Sequence, residues 1–598
     1  MKRDEKNNIT KKSIRKLNID DVSEDMSQSD KRTQRVDKKI GESMDLMMDE
    51  DFEFHPDFDE YGFLDDEWLS NPENNSDSGQ RKRSLEEDPY FCEDTLNILD
   101  DVSVRSGKQR IKKMRLTPEE LEERREVRKK RRSQNPEILA VTYVFTGLFV
   151  LLIGYFVYFN VFVSKDVINS AYNVRIDAFK ENIVRGDIVS NDGTVLAETL
   201  IDEYGNETRY YPMGRIFSHV VGTSEINQSG VELSENFYML QSNGNPLINS
   251  LKDIRGEKNQ GDRVVTTLDA ALQQVAYNAL GYNDGAVIAI EPSTGKILSM
   301  VSKPDYDPNS LVSDYEYIVS QEGNQSLLNK TSYGLFVPGS IFKTITSLAY
   351  IRSGINVNNY SYVCEGQINL GGTDYITCFN HTVHGSEDFW SSFANSCNAS
   401  FGNIGLEVGS EELNSVCESL FFNSELPTSI PHRKSSFELN SDASDWEIAA
   451  TSIGQGKTQV SPLQMVMITS AIANGGNLME PYLVDSIETA DGGHRIKKYL
   501  PKSYGQILST QEANILDSLM EDVTEYGTAY SLSGYGYSVA GKTGTAEVDG
   551  KGDNSWFIGY APVEQPQIAI CVLVENDQGY YESALPVANA IFQSYLNR

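Results

Sequence analysis

Cysteine is scarce in this sequence, with six residues in a chain of 598. So few cysteines in so long a chain exclude a disulfide framework as the main source of stability. Cys364 and Cys378 could form one bridge outside the cytoplasm or remain two separate thiols, and we expect Cys397 to fill a small space in the core. Cysteine and histidine show no spacing typical of metal ligands, so the sequence predicts no metal site, and it predicts no cofactor.

Positive charge is also in short supply. Lysine and arginine number 53 against 87 acidic residues, which leaves a formal net charge of -34 at pH 7. Binding a polyanion requires a basic face, so this balance excludes nucleic acid as the main partner. The length exceeds that of one ordinary domain and predicts about three to four structural units.

The first 137 residues are polar and of mixed charge, and they cannot bury a core. Residues 43–70 are acidic with interspersed aromatics, whereas the sign of the charge changes after Gly107. We expect a disordered cytoplasmic tail, apart from a short helical pattern that begins at Thr117. The acidic part is either a solvated linker or a docking motif for a cytoplasmic partner.

Charged residues are missing altogether from positions 138–163. This run exceeds the roughly 20 apolar residues needed to cross a bilayer. Because the dense basic run at 124–132 directly precedes it, the positive-inside rule predicts a cytoplasmic N-terminal side. We therefore predict one transmembrane helix over 138–163 in the cell membrane, with the chain after about residue 164 outside it.

The segment 336–344 contains the strongest candidate for a catalytic centre. A Pro-Gly break at 338–339 is followed by apolar residues with helical period, which predicts a helix over 340–353 that ends before Gly354. Ser340 would open this helix, and Lys343 would lie one turn later on the same face. A hydroxyl beside an amine is a nucleophile beside a candidate base, at a helix end that favours developing negative charge.

Two further motifs follow in the chain, Ser396-Cys397-Asn398 and Lys542-Thr543-Gly544-Thr545. Each motif is weak alone, since Ser-x-x-Lys also occurs at 13–16 and Ser-x-Asn at 234–236. The order Ser-x-x-Lys, Ser-x-Asn, Lys-Thr-Gly is the combination known from penicillin-binding proteins and β-lactamases. The ordered triplet therefore indicates an enzyme that forms an acyl intermediate on its own Ser340.

After the membrane span the chain resembles the class B penicillin-binding proteins. The likeness rests on the triplet and on the stretches 185–188, 209–212, 219–222, 230–232, 265–269, 452–456 and 473–476. It implies a membrane-anchored α+β protein with a β-rich pedestal domain over 164–275. A penicillin-binding transpeptidase domain over 276–598 would follow, built as an antiparallel sheet flanked by helices, as in serine β-lactamases.

Local patterns indicate several elements of that domain. They predict a hairpin from 286–290 and 296–302, a strand that leads into Lys542, neighbouring strands at 556–561 and 567–575, and a covering helix over 585–596. In the region before the hairpin we expect a structural salt bridge between Arg185 and Asp187.

The resemblance implies acyl transfer on peptidoglycan stem peptides that end in D-Ala-D-Ala. Ser340 would attack the penultimate D-Ala carbonyl, with neutral Lys343 as the base. Ser396 would relay a proton towards the leaving group, while Asn398 would orient Lys343 and the substrate amide. An amine from a neighbouring strand would then take the acyl group, and a β-lactam would leave a stable ester on Ser340.

The third motif would supply the substrate-binding strand. Lys542, Thr543 and Thr545 would receive the terminal carboxylate, with Gly544 between them, and the N–H groups of Ser340 and Thr545 would form the oxyanion hole. Lys542 would also be the second positive charge that, together with burial, lowers the pKa of Lys343.

Other functions fit the sequence less well. A bifunctional enzyme needs a glycosyltransferase domain, for which the roughly 110 residues between the span and the hairpin leave no room beside a pedestal. A separate glycosyltransferase and division or elongation proteins are therefore the expected partners. A β-lactam sensor or a silent division scaffold is the non-enzyme alternative, although the intact motifs favour catalysis. A D,D-carboxypeptidase, with water as the acceptor, also stays open.

Overall fold

The computed structural model describes residues 117–133, 136–159, 181–548, 552–577 and 584–598. Most of the predicted tail and positions 160–163 of the predicted membrane span lie outside these residues. The two helices that precede position 160 are Pro118–Ser133 and Pro136–Tyr158.

The helix Pro118–Ser133 is longer than the short pattern predicted from the sequence, and it takes in the basic run. Thr117 and Glu120 begin it with a capping box, because the Glu120 N–H donates to Thr117 Oγ1 at 3.4 Å and the Thr117 N–H donates to Glu120 Oε2 at 2.8 Å. Pro118 occupies the first helical position, where its missing N–H costs nothing.

The helix Pro136–Tyr158 contains the uncharged run. Its segment Leu139–Tyr158 has 20 residues and a mean hydropathy of 2.1, which is long and apolar enough for a membrane crossing by length and composition. Its large apolar side chains are exposed all round, as a helix needs when its surroundings are themselves apolar.

A six-stranded sheet occupies the region before the predicted hairpin. Its strand order is Arg495–Lys498, Val484–Glu488, Arg263–Thr266, Ile188–Val189, Val195–Ile201 and Glu207–Tyr210. All neighbours are antiparallel except Ile188–Val189 with Arg263–Thr266. Two of its strands thus come from the C-terminal half of the chain. The predicted boundary between 275 and 276 falls inside the helix Ala270–Leu280, which packs against Ile297–Lys303 and Ala584–Leu596.

The expected salt bridge between Arg185 and Asp187 is wrong. Arg185 Nε donates to Glu232 Oε2 at 2.7 Å, and Arg209 Nε donates to Glu232 Oε1 at 2.7 Å. The Glu232 side chain is completely buried, so it needs both guanidinium groups to offset its desolvation. Asp187 is only partly buried and instead faces Arg263, with 3.6 Å between the charged atoms.

A five-stranded antiparallel sheet forms the centre of the C-terminal region. Its strand order is Ala540–Ala546, Asp553–Ala561, Ile568–Asp577, Gly285–Ile290 and Ile297–Lys303. The predicted hairpin, the three C-terminal strands and the last helix, Ala584–Leu596, are confirmed. Every residue of Gly285–Ile290 is buried, so both faces of this strand are covered. The helices Ala270–Leu280, Pro462–Ala473 and Ala584–Leu596 pack against the sheet.

The remaining described elements are shorter. The other α-helices are Ser218–Val221, Gly230–Ser234, Asn236–Met239, Pro246–Arg255, Leu311–Ser320, Lys343–Arg352, Phe389–Ala394, Asn398–Ser419, Asp445–Ser452 and Thr510–Glu525. Short strands pair as Ile183–Val184 with Asn259–Gln260, Tyr362–Cys364 with Gly385–Glu387, Gln367–Gly371 with Asp374–Thr377, and Asn477–Met479 with Ser503–Gln506. Turns of 3-10 helix are Gly214–Phe217, Gly339–Phe342, Val357–Asn359, Phe379–His381 and Tyr530–Leu532.

Candidate active site

Ser340 lies in a 3-10 turn, Gly339–Phe342, that leads directly into the α-helix Lys343–Arg352. The sequence predicted a single helix from Ser340, so the first turn is tighter than expected. Gly339 begins this turn with a φ of +56°, a conformation that glycine adopts without strain. A Cβ at this position would also lie 2.4 Å from the carbonyl oxygen of Thr545. The turn is therefore in close backbone contact with the strand that carries the third motif.

That strand, Ala540–Ala546, is at one edge of the central sheet and pairs with Asp553–Ala561 alone. Gly544 lets it approach the nucleophile turn closely, since a Cβ there would lie 3.0 Å from Ile341 Cγ2 and 3.2 Å from Pro338 O. Trp556 on the neighbouring strand donates its Nε1–H to Val337 O at 3.1 Å. These contacts place the third motif directly beside Ser340.

The Lys343 amine is held by the second motif. Its Nζ donates to Ser396 O at 2.6 Å, to Asn398 Oδ1 at 2.7 Å and to Ser396 Oγ at 3.2 Å. Asn398 is itself fixed, because its Nδ2–H donates to Thr377 O at 2.9 Å. Ser396 has a φ of +55°, an uncommon value for a residue with a side chain, and this turn aims both its carbonyl and its hydroxyl at the amine.

Burial perturbs the amines of both motif lysines, Lys343 and Lys542. The Lys343 side chain is fully buried, and this desolvation lowers the pKa of Lys343 to about 8. Burial also lowers the pKa of Lys542 well below its usual range, and repulsion from the Lys343 amine lowers it further. The sequence predicted that Lys542 would lower the pKa of Lys343, but the structure shows the reverse effect, of Lys343 on Lys542, and the lowered pKa of Lys343 comes from its desolvation. Lys343 can therefore reach its neutral, basic form near physiological pH.

The third motif carries the predicted substrate-binding groups. Lys542 Nζ donates to the Thr543 carbonyl at 3.0 Å and lies 5.6 Å from the ring centre of Phe393. The hydroxyls of Thr543 and Thr528 are hydrogen-bonded at 2.6 Å. Thr543 and Thr545 are both partly exposed, whereas Lys542 and Gly544 are buried. A ligand can therefore reach the hydroxyls of Thr543 and Thr545. The one charged group of the strand, the Lys542 amine, is desolvated.

Sequence reasoning missed three contributors to this site. The Gly454 carbonyl accepts the Gly339 N–H at 2.9 Å, and Gly454 has a φ of +79°. The sequence indicates this residue only through the family resemblance of the stretch 452–456. Thr528 belongs to no motif and reaches Thr543 only through folding. Phe401 lies 5.4 Å from Lys343 Nζ and helps to bury the amine, although nothing in its sequence context marks it.

The sequence spacing predicted no metal site, and the structure brings together a set of cysteine and histidine side chains that the spacing did not indicate. Cys364, Cys378, His384 and Cys397 come together immediately beside the second motif, with their potential ligand atoms all within 4.8 Å of one another. Cys364 and Cys378 are separate thiols with 3.6 Å between their sulfurs, which decides the question that the sequence left open. All four residues belong to the stretch 364–397, and folding brings their side chains together.

A serine in a turn that leads into a helix, a buried lysine held by the Ser-x-Asn motif and a Lys-Thr-Gly edge strand are the arrangement of a serine acyltransferase of the penicillin-recognising class. Residues 285–597 match the penicillin binding protein transpeptidase domain, and the chain belongs to this family. The match covers the whole central sheet and all three motifs. The class B penicillin-binding protein predicted from the sequence is confirmed.

Several relatives resemble the chain beyond that domain. Peptidoglycan D,D-transpeptidase PbpA of Mycolicibacterium smegmatis is 29% identical over 467 residues, which are 74% of this chain and 94% of the relative. Peptidoglycan D,D-transpeptidase MrdA of Acinetobacter baumannii is 27% identical over 451 residues, 65% and 66% of the two chains. The imipenem acyl-enzyme structure of penicillin-binding protein A from M. tuberculosis superposes with a TM-score of 0.64 at 27% identity, over 70% of this chain and all of that one.

Proposed function

We propose that this chain is a peptidoglycan D,D-transpeptidase that cross-links stem peptides through an acyl-enzyme on Ser340. The observation that carries the proposal is the buried Lys343 amine beside the nucleophile turn, held by Ser396 and Asn398 and with a lowered pKa. An amine in that state accepts a proton at neutral pH, which an exposed lysine does not. The relatives named as peptidoglycan D,D-transpeptidases support the substrate class.

In the acylation step, neutral Lys343 takes the hydroxyl proton of Ser340 as Ser340 Oγ attacks the penultimate D-Ala carbonyl. The ester bond forms, the amide C–N bond breaks, and the terminal D-Ala leaves with a proton relayed through the Ser396 hydroxyl. Ser396 is suited to this relay because its Oγ lies 3.2 Å from Lys343 Nζ. An amine of a neighbouring strand then attacks the ester and releases Ser340.

The tetrahedral intermediate needs donors for its oxyanion. The N–H groups of Ser340 and Thr545 are the candidates, since the turn and the edge strand approach closely at Gly339 and Gly544. Loss of one such donor typically costs about 2.7–4 kcal/mol of transition-state stabilisation. The substrate carboxylate would bind at Lys542, Thr543 and Thr545, and its charge would offset the desolvation of Lys542 and favour the protonated amine.

Purified full-length protein tests the reaction. Supplied with nascent glycan strands, it is expected to form D,D-cross-links that a β-lactam abolishes, and to polymerise no lipid-linked precursor. Muropeptide analysis by mass spectrometry is the readout, with protein acylated beforehand by penicillin as the matched control. Release of D-Ala without cross-links would identify a carboxypeptidase instead, and polymerisation by the pure chain would contradict the class B assignment.

Lys542→Ala tests the carboxylate site. We expect acylation by D-Ala-D-Ala mimics and by β-lactams to slow about 10–100-fold, because a hydrogen bond to a charged group is worth about 1.5–3 kcal/mol. Stopped-flow or gel-based acylation rates provide the measurement. The control is Lys502→Ala, which removes an exposed lysine that pairs with Glu480. Equal acylation rates for Lys542→Ala and wild type would show that the third motif is not part of the active site.

We extend the proposal to the organisation of the chain. Residues 1–137 form the cytoplasmic tail, 138–163 the membrane anchor, 164–275 the pedestal and 276–598 the transpeptidase domain. The apolar segment Leu139–Tyr158 and the basic run before it support this topology. Cross-linking acts on exported polymer, so the motifs belong outside the membrane, where a separate glycosyltransferase and division or elongation proteins would supply the glycan strands.

Protease accessibility tests this topology. In cells stripped of their wall, added protease is expected to digest the region after residue 163 and to spare an epitope in the tail. Detergent-permeabilised cells are the control, in which both parts are cleaved. Digestion of the tail epitope in intact, wall-stripped cells would show that the orientation is the opposite of the one proposed.

A further inference from the structure

A polar cleft that the catalytic mechanism does not use lies between the helices Asn398–Ser419 and Asp445–Ser452. Its volume is about 530 Å³, which is within the range of about 300–1,000 Å³ that small-molecule sites occupy. One aromatic side chain and several polar ones line it, chiefly Trp446, Asn414, Glu438, Asn440, Asp442 and Lys457. We call it the Trp446 cleft.

Trp446 gives this cleft an accessible aromatic surface. The residue is 44% exposed, although a large aromatic side chain is usually mostly buried. Its position is fixed by the capping box that begins the helix Asp445–Ser452. The Glu447 N–H donates to Ser444 Oγ at 3.3 Å, and the Ser444 N–H donates to Glu447 Oε2 at 2.9 Å. A ligand would therefore meet a preformed aromatic wall with little ordering cost.

The polar groups of the cleft supply donors and acceptors of both charges. Asn414 is held in place, because its Nδ2 donates to Leu439 O at 2.7 Å and to Ser410 O at 2.9 Å. The pKa of Glu447 is lowered chiefly by hydrogen bonds from the helix cap and also by the charge of Lys457. A cationic ligand would have to compete with Lys457 for that carboxylate. A neutral ligand rich in hydroxyl and amide groups can use donors and acceptors alike.

The cleft adjoins the nucleophile turn. The Gly339 N–H donates to Gly454 O at 2.9 Å, and the chain reaches the cleft at Gly456 only two residues later, a span of at most about 7 Å. Phe437 lines the cleft and stacks on Phe342 of the nucleophile turn, with 5.9 Å between ring centres and 10° between the ring planes. The cleft and the nucleophile turn therefore share a rigid wall.

This separation from Ser340 suits the far end of the proposed substrate. A stem peptide joins its terminal D-Ala residues to a sugar through several residues, and each extended residue spans about 3.3–3.6 Å. A sugar is thus expected roughly 10–15 Å from the nucleophile rather than directly beside it. The two-residue step from Gly454 to Gly456 places the Trp446 cleft within that reach.

We propose that the Trp446 cleft binds the N-acetylated sugars of a peptidoglycan glycan strand. A sugar ring presents C–H groups on its faces, which pack on the indole of Trp446, and polar groups at its edge, which Asp442 and Asn414 can bind. The bound strand would be held while its stem peptide reacts at Ser340. This role in cross-linking rests on the proposed function, whereas the binding itself can be measured without turnover.

Titration of full-length protein in detergent tests the binding. The probe is a set of glycan oligosaccharides from which an amidase has removed the stem peptides, and calorimetry is the measurement. We expect saturable binding that Trp446→Ala weakens by at least about 10-fold and that Trp446→Tyr largely keeps. Tyr282→Ala is the matched control, because it removes a fully exposed aromatic from the turn before the strand Gly285–Ile290.

The wild-type titration decides the question even if a variant does not fold. Wild-type protein that does not bind the peptide-free glycan would overturn the proposal, and so would equal binding by Trp446→Ala. Asp442→Ala replaces an exposed carboxylate of the cleft and is expected to weaken binding as well. Binding of free stem peptide without any binding of peptide-free glycan would overturn the assignment to a sugar.

Two substrates that differ only in the sugar test the role in cross-linking. In wild-type protein, a stem peptide on its disaccharide is expected to have a KM about 10-fold lower than the free peptide, with release of D-Ala as the readout. Trp446→Ala should lose this advantage through KM rather than through kcat. Equal KM values for the two substrates in wild type would overturn the role. Glycan binding without turnover of either substrate would instead contradict the proposed function and leave the binding site established.

Discussion

Ser340→Ala is expected to abolish covalent labelling of the protein by β-lactams and its cross-linking activity. The variant removes the atom that forms the ester, so no base or oxyanion donor can restore the adduct. Ser340 is only partly buried, and its neighbours in the 3-10 turn Gly339–Phe342 supply the packing, so the fold should persist. Intact-protein mass spectrometry after incubation with penicillin, followed by peptide mapping of the wild-type adduct, is the measurement.

The matched control is Ser353→Ala. Ser353 is exposed at the other end of the same helix, where its hydroxyl donates to Tyr350 O at 2.7 Å. This variant should label like wild type. An adduct that persists in Ser340→Ala, or that maps to another peptide, would show that a different residue is the nucleophile.

Lys343→Ala is expected to slow acylation by about 10²–10⁴-fold, the usual contribution of a general base. It should also change the pH dependence. Because the pKa of Lys343 is lowered to about 8, the neutral base becomes more abundant as pH rises, and wild-type acylation should rise through this range. The variant should lose this rise while still forming a slow adduct on Ser340. Acylation rates measured from pH 6 to pH 9, a range that includes the pKa of about 8, provide the test.

Folding of the Lys343 variant must be checked separately, because the amine makes three buried hydrogen bonds that its removal leaves unpaired. Lys343→Met keeps most of the buried volume and should show the same kinetic loss with a smaller loss of stability. If wild-type acylation proved independent of pH between 6 and 9, Lys343 would not be the base.

The Lys343 amine and a group of buried thiols meet at one short segment, Ser396 to Asn398. Ser396 and Asn398 face Lys343, while Cys397 between them faces the other two cysteines. Successive residues in this turn therefore contact different groups, Lys343 on one side and the neighbouring thiols on the other.

The sequence by itself determined the local elements and the class of chemistry. The uncharged run, the hairpin at Gly285–Ile290 and Ile297–Lys303 and the last helix follow from apolar runs and periodicity, which depend on near neighbours in the chain. The three motifs indicated the family because each is a short, contiguous pattern.

Only the tertiary structure decided which distant groups meet. Cys378 meets Cys364 and Cys397 from 14 and 19 positions away, and Glu232 lies 47 positions from Arg185. Strands from 484–498 complete a sheet that begins at Ile188–Val189. These contacts arise from packing, in which burial forces each charge or sulfur to find a partner wherever the fold places one. No local sequence pattern shows which residues will pair, because the energy of these contacts depends on burial in a core that forms only on folding.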